Sequence, residues 1–171
     1  MNKLATHLHF FSRILCPVVI SLLIASGSST AIAASNPDSC ALLKAADLAT
    51  LLGGKVVAKK TVAGGCSWTA SGSKRKLAAA PLVESFEGVT VDKFFISARQ
   101  ESAKDKEAKF ADEAGLGDKA FSVIAEGVVS LHMLKNGRML QLLFIDMSGA
   151  TASAKEMSEL RSVAKKAIAA F

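Results

Sequence analysis

The chain has no tyrosine, one tryptophan, three histidines, three cysteines and three prolines among 171 residues. Each shortage narrows the chemistry. Two of the histidines, His7 and His9, stand near the N-terminus, which leaves His132 alone in the rest of the chain. A structural zinc site takes about four nitrogen or sulfur ligands, so no metal is expected. No serine sits in a G-x-S-x-G nucleophile elbow, and no Ser-His-Asp set stands out. Gly115-Leu116-Gly117-Asp118 has the G-x-G of a phosphate cradle but neither its third glycine nor the helix that should follow. Aromatic side chains interleaved with bases are missing, which argues against nucleic acid. Met133, Met139, Met147 and Met157 have strand and helix spacings that suit core filling better than soft-metal or haem ligation. No cofactor is expected.

Long apolar runs are also lacking, apart from one near the N-terminus. Lys3 and Arg13 give a positive start, ILCPVVISLLIA over 14–25 is a short apolar stretch, and Ala31-Ile32-Ala33 closes a small-residue pattern of A-x-A type. Together these read as a secretory signal cleaved after residue 33, and an uncleaved anchor is the other reading. The run is short for a membrane span and no stop-transfer pattern follows. The expectation is a signal peptide over 1–33, one domain over 34–171, no stable membrane span after cleavage, and a periplasmic or secreted location. The 138 residues that remain carry 19 bases and 15 acids, a mild +4, which permits polyanion binding without implying it. Cys16 leaves with the signal. Cys40 and Cys66 remain, and a lone pair in an oxidising compartment most simply forms one disulfide. A redox-active pair would usually be C-x-x-C.

What is present is a fold. Lys135-Asn136-Gly137-Arg138 separates two apolar runs, and Asn-Gly in that position is a strong hairpin signal because a type I′ turn needs positive φ at both central residues. The expected strands are 128–135 and 138–147, with a third over 120–125 reached through Glu126-Gly127. Neither face of the hairpin is cleanly polar: Val128, Ser130, His132 and Leu134 alternate with Val129, Leu131, Met133 and Lys135. That pattern calls for helices on both faces, or for one helical layer and an apolar pocket. Further strands are expected over 55–62, 66–70 and 77–86. Pro81 has no amide hydrogen to give a ladder, which puts the last of these at an edge or a bulge. Helices are expected over 44–52, stopped by Gly53-Gly54, over 91–108 with Thr90 as N-cap, and over 153–171, where Ser153 and Glu156 fit a capping box. The fold class is α+β: an antiparallel sheet of five or six strands with N-terminal, middle and C-terminal helices packed on it and one disulfide.

Candidate site residues are few. His132 has two readings: a satisfied histidine on a half-buried strand, or a ligand or acid/base residue beside Ser130 and Gln141. Trp68 shares a strand face with Cys66 and reads mainly as core, with a ligand cleft as the alternative. Lys74, Arg75 and Lys76 form a basic tip that is either solvated or a contact for a polyanion or protein partner. Asp118 reads as a turn former, and a carboxylate pair cannot be placed.

Several short motifs carry a likeness. Cys40-Ala41-Leu42-Leu43 is followed by a helix ending in Gly53, then by Cys66-Ser67-Trp68, then by Gly-Leu-Gly-Asp-x-Ala over 115–120, a strand pair with a glycine turn and an alanine-rich C-terminal helix. The order resembles exported domains of unknown function in actinobacterial lipoproteins and in the sensor domains of mycobacterial receptor kinases. That resemblance implies a PsbP-like α/β/α sandwich and ligand or partner binding, with no catalytic residues to transfer. The chain departs from it by lacking a lipid-attachment cysteine. The leading expectation is an exported, non-enzymatic module binding a small apolar or amphipathic ligand or a cell-envelope protein. A small hydrolase or carbohydrate-active enzyme is one alternative, and an inhibitor or immunity-type protein acting through the 71–76 loop is another.

Overall fold

The computed structural model describes residues 38–61, 64–85 and 88–171; the expected signal segment and Cys16 lie outside them. A short 3-10 turn, Ser39–Ala41, leads into α1 (Ala45–Leu52). Then come β1 (Val56–Lys60), β2 (Cys66–Ala70), β3 (Arg75–Leu82), α2 (Val91–Lys104), β4 (Lys109–Asp112), β5 (Lys119–Ala125), β6 (Val128–Lys135), β7 (Arg138–Asp146) and α3 (Ala154–Ala170). The strands make one sheet in the order β1-β2-β3-β7-β6-β5-β4, antiparallel at every pairing. The count is seven, one or two above expectation. The extra strand is β4, whose Lys-Phe-Ala-Asp has one large apolar residue and pairs only with β5.

The hairpin anticipated at Asn136-Gly137 sits next to the centre. Asn136 and Gly137 have φ of 52° and 70°, as a type I′ turn requires. The Gly-Leu-Gly-Asp segment clasps this turn. Asp118 donates its amide to the Leu134 carbonyl at 2.8 Å, and its Oδ2 accepts the Asn136 amide at 2.7 Å. At Gly117, with φ of 82°, an added Cβ would lie 2.5 Å from the Leu134 oxygen. The motif therefore needs glycine for close approach, and Leu116 beside it is buried in the core.

Pro81 gives a correction. Strand β3 is interior, between β2 and β7. Yet the β2 ladder stops at Cys66 opposite Ala79, while β3 continues along β7 with Pro81 opposite Leu140. Proline falls where β3 has outrun β2, so the missing amide costs that ladder nothing.

One face of the sheet is covered by α1 and α3. Leu48, Leu51 and Leu52 from α1 and Met157, Leu160 and Ala164 from α3 join Trp68, Leu131, Leu142 and Phe144 in one cluster. Both helices have the caps the sequence implied: Gly53 at φ 74° ends α1, and Ser153 with Glu156 forms the box before α3. The Cys40–Cys66 disulfide, with Cα atoms 5.0 Å apart, ties the segment before α1 to the first residue of β2. The other face carries α2, held by a smaller cluster of Val91, Phe95, Phe121, Leu134 and Met139. Phe95 meets Phe121 edge-on at 5.2 Å; burying each such side chain contributes about 1.5–3 kcal/mol. The sheet is thus the middle layer of an α/β/α sandwich. Helix α2 ends four residues earlier than expected, where Asp105 and the following charged run leave the sheet. Among the described residues no helix is long and apolar enough to cross a membrane.

Candidate functional site

Strand periodicity sorts the expected site residues onto two faces. Ser130 and His132 alternate with the buried Val129, Leu131 and Met133, so they lie on the α2 face. Register puts Gln141 opposite His132 on β7 and Phe121 opposite it on β5. These three polar residues come together as the sequence suggested. Trp68 does not join them. It is fully buried in the cluster under α1 and α3, beside Cys66, and its place in a shared cleft is withdrawn.

The polar group is a short chain. Gln141 Nε2 donates to Ser130 Oγ at 2.8 Å. Ser130 Oγ lies 2.9 Å from His132 Nε2, and Gln141 Nε2 also approaches that ring nitrogen, at 3.5 Å. With a hydroxyl and an amide both directed at it, Nε2 is the acceptor, and the ring proton belongs on Nδ1. The imidazole stacks on Phe121 at 4.4 Å with the planes 7° apart. Its Nδ1 is buried and has no hydrogen-bond partner among the described residues. Burial pushes the His132 pKa down to about 4, so at neutral pH the ring is uncharged. A Ser–His nucleophile pair uses a third group to orient the base; here Nδ1 faces no such acceptor.

Carboxylates are engaged elsewhere. An open cleft of about 300 Å³ at the far end of the α2 face is lined by Phe95, Arg99, Asp112, Glu113, Lys119 and Ala120. Asp112 is bound through both oxygens to Arg99. Glu113 is bound through both oxygens to Arg161 and accepts from Ser122 Oγ. The Arg161 guanidinium, seconded by Ser122, holds the Glu113 carboxyl below its ordinary range despite burial. Both acids are ionised and paired, so this cleft is built for cohesion. Among the described residues no group of three or more His, Cys, Asp or Glu could hold a metal ion.

The basic tip divides. Lys74 is exposed. Arg75 is the first residue of β3, two residues before the strand was expected, and turns to the α1/α3 face. Its guanidinium pairs with Asp146 at 3.2 Å and with Glu156, and donates to the Leu51 carbonyl at the end of α1. It is a structural tie. Lys76 lies on the opposite face, between Thr69 and Ile145 in register.

That face holds the feature the sequence pattern only hinted at. Helix α2 packs against Phe110 of β4, Phe121 and Val123 of β5, and Leu134 and Met139 at the hairpin end of β6 and β7. The remainder is bare among the described residues. Leu143, Ile145 and Val128 stand there half-buried, and Val57 is 61% exposed. Of the two alternatives raised by the hairpin pattern, the structure has the first, helices on both faces of the sheet.

Comparison with protein-family models, with curated proteins and with solved structures finds no match.

Proposed function

We propose that this chain is an exported, non-enzymatic binding module, of the kind its motifs resemble, and that its ligand or cell-envelope partner docks on the part of the sheet left bare by α2. One observation carries the reading. Every large apolar residue on the α1/α3 face of β6 and β7 is buried, whereas Val128, Leu143 and Ile145 on the other face of the same strands remain in part accessible. Apolar surface rimmed by polar residues on an otherwise well-packed domain marks an interaction site. The neutral Ser130–His132–Gln141 group borders this stretch and supplies polarity without charge. An exported location agrees with the disulfide and with the leader pattern in the sequence.

The test is native mass spectrometry of the protein isolated from its own cells without denaturation. A non-covalent adduct or a stoichiometric second polypeptide, lost when Leu143 is replaced by Glu, is the expected result. A bare chain under all gentle isolation conditions contradicts the proposal.

A further inference from the structure

The uncovered face is polarised across the strands, and its charge names a ligand class. From Gly53 to Val83 the sequence holds six lysines and arginines and no acid. Arg75 is consumed by Asp146 and Glu156, and Lys60 pairs with Asp38. Lys59 and Lys76 fall on the uncovered face, and among the described residues neither pairs with a carboxylate.

Register gives the layout. One row across the sheet runs Lys59, Ser67, Ala78, Leu143, Ser130, Val123. Its neighbour runs Val57, Thr69, Lys76, Ile145, Val128, Ala125. The β1–β3 side therefore presents two ammonium groups and two hydroxyls, while the β7–β5 side is aliphatic apart from Ser130, with Val123 lying against the α2 cluster. Neither row contains an acid. Along the second row, from Lys76 on β3 to Ala125 on β5, is three inter-strand steps, about 14 Å, so this row has room for a medium-length acyl chain lying across the strands.

Resting on the binding role proposed above, we infer that the occupant of this face is a single-chain anionic amphiphile of fatty-carboxylate type. Its chain lies over Leu143, Ile145 and Val128, and its head group is met by Lys59 and Lys76. Opposite charge selects the head group, and the uncovered aliphatic stretch holds the tail.

The experiment uses the purified chain and methyl and amide NMR titrations at neutral pH. The probes are decanoate, kept below its micelle-forming concentration, and decyltrimethylammonium, which has the same tail length and the opposite charge. The expected result is saturable shifts at Leu143, Ile145 and Val128 with decanoate, weaker by at least about tenfold with the cation. That ratio is what two lysine contacts of exposed type would supply. A double variant, Lys59→Glu with Lys76→Glu, should lose the same factor for decanoate and keep its spectrum otherwise. Equal binding of both probes overturns the anionic class and leaves the apolar docking face standing. No saturable shift on this face with either probe, or shifts confined to the cleft near Phe95 and Arg99, overturns both.

Discussion

His132 should make the protein sensitive to mild acid. Its folded-state pKa is depressed from 6.5 to about 4 by burial, so between those values the unfolded chain binds more protons than the folded one. The stability from keeping this ring neutral is complete above pH 6.5 and is lost as pH falls towards 4; its size is about 3 kcal/mol. Urea denaturation across that range should show stability declining with acidity, and His132→Leu should flatten the decline, with carboxylate effects such as that of Glu113 entering only below about pH 4.5. An unchanged slope in the variant would contradict the assignment. Gly117 makes a second single-residue case. Its positive φ and the 2.5 Å approach of an added Cβ to the Leu134 oxygen mean that Gly117→Ala should cost about 2 kcal/mol or more, read as a lower urea midpoint. The sequence singled out both residues but not their situations. It marked His132 as the lone imidazole and left open whether Ser130 or Gln141 would reach it. The face they share followed from the period of two, whereas the stacking on Phe121 depends on β5–β6 register, which a short Glu126-Gly127 turn does not announce by type.

At the scale of elements, caps and turns were the most legible. Gly53, Thr90, Ser153 with Glu156, and Asn136-Gly137 act locally, so their chemistry is written in neighbouring residues. Ser153→Ala should destabilise the chain by about 1 kcal/mol, measured by thermal or urea unfolding, because it removes the acceptor for the Glu156 amide. Less legible were features set by distant partners. Strand β4 is short and mostly polar; it exists because β5 offers an edge and because Arg99 on α2 anchors Asp112. By sequence Pro81 signals an edge or a bulge; in the fold it marks the end of the β2 ladder. By sequence Arg75 belongs to a basic tip that is either solvated or a contact for a polyanion or partner. In the fold it joins β3 to β7, to the start of α3 and to the Leu51 carbonyl at the end of α1, where a positive charge is favourable. Arg75→Met should lower stability by about 1–3 kcal/mol, whereas the same change at exposed Lys74 should be close to neutral. Equal effects at the two positions would place Arg75 back among solvated residues.

For the molecule as a whole, the α+β class and the pairing of Cys40 with Cys66 were readable in advance. The disulfide encloses a 26-residue span and should contribute about 3–4 kcal/mol; unfolding with and without reductant, or in a Cys40→Ala/Cys66→Ala variant, measures it. What could not be read was the unequal cover of the sheet. Among the described residues two helices, α1 and α3, meet one face and a single helix, α2, meets the other. Whether a 14-residue α2 spans that face or only part of it depends on its crossing direction, which Val91, Phe95 and their distant partners Phe121, Leu134 and Met139 decide. The bare stretch is a consequence of that placement, and the functional proposal depends on it. The most direct test compares NMR spectra of the protein as first isolated from its own cells with spectra after unfolding, solvent extraction and refolding with the disulfide kept intact. The account predicts changes concentrated at Val128, Leu143 and Ile145 as a resident ligand is removed. Identical spectra, or changes confined to the α1/α3 face or to the cleft beside Arg99, would contradict it.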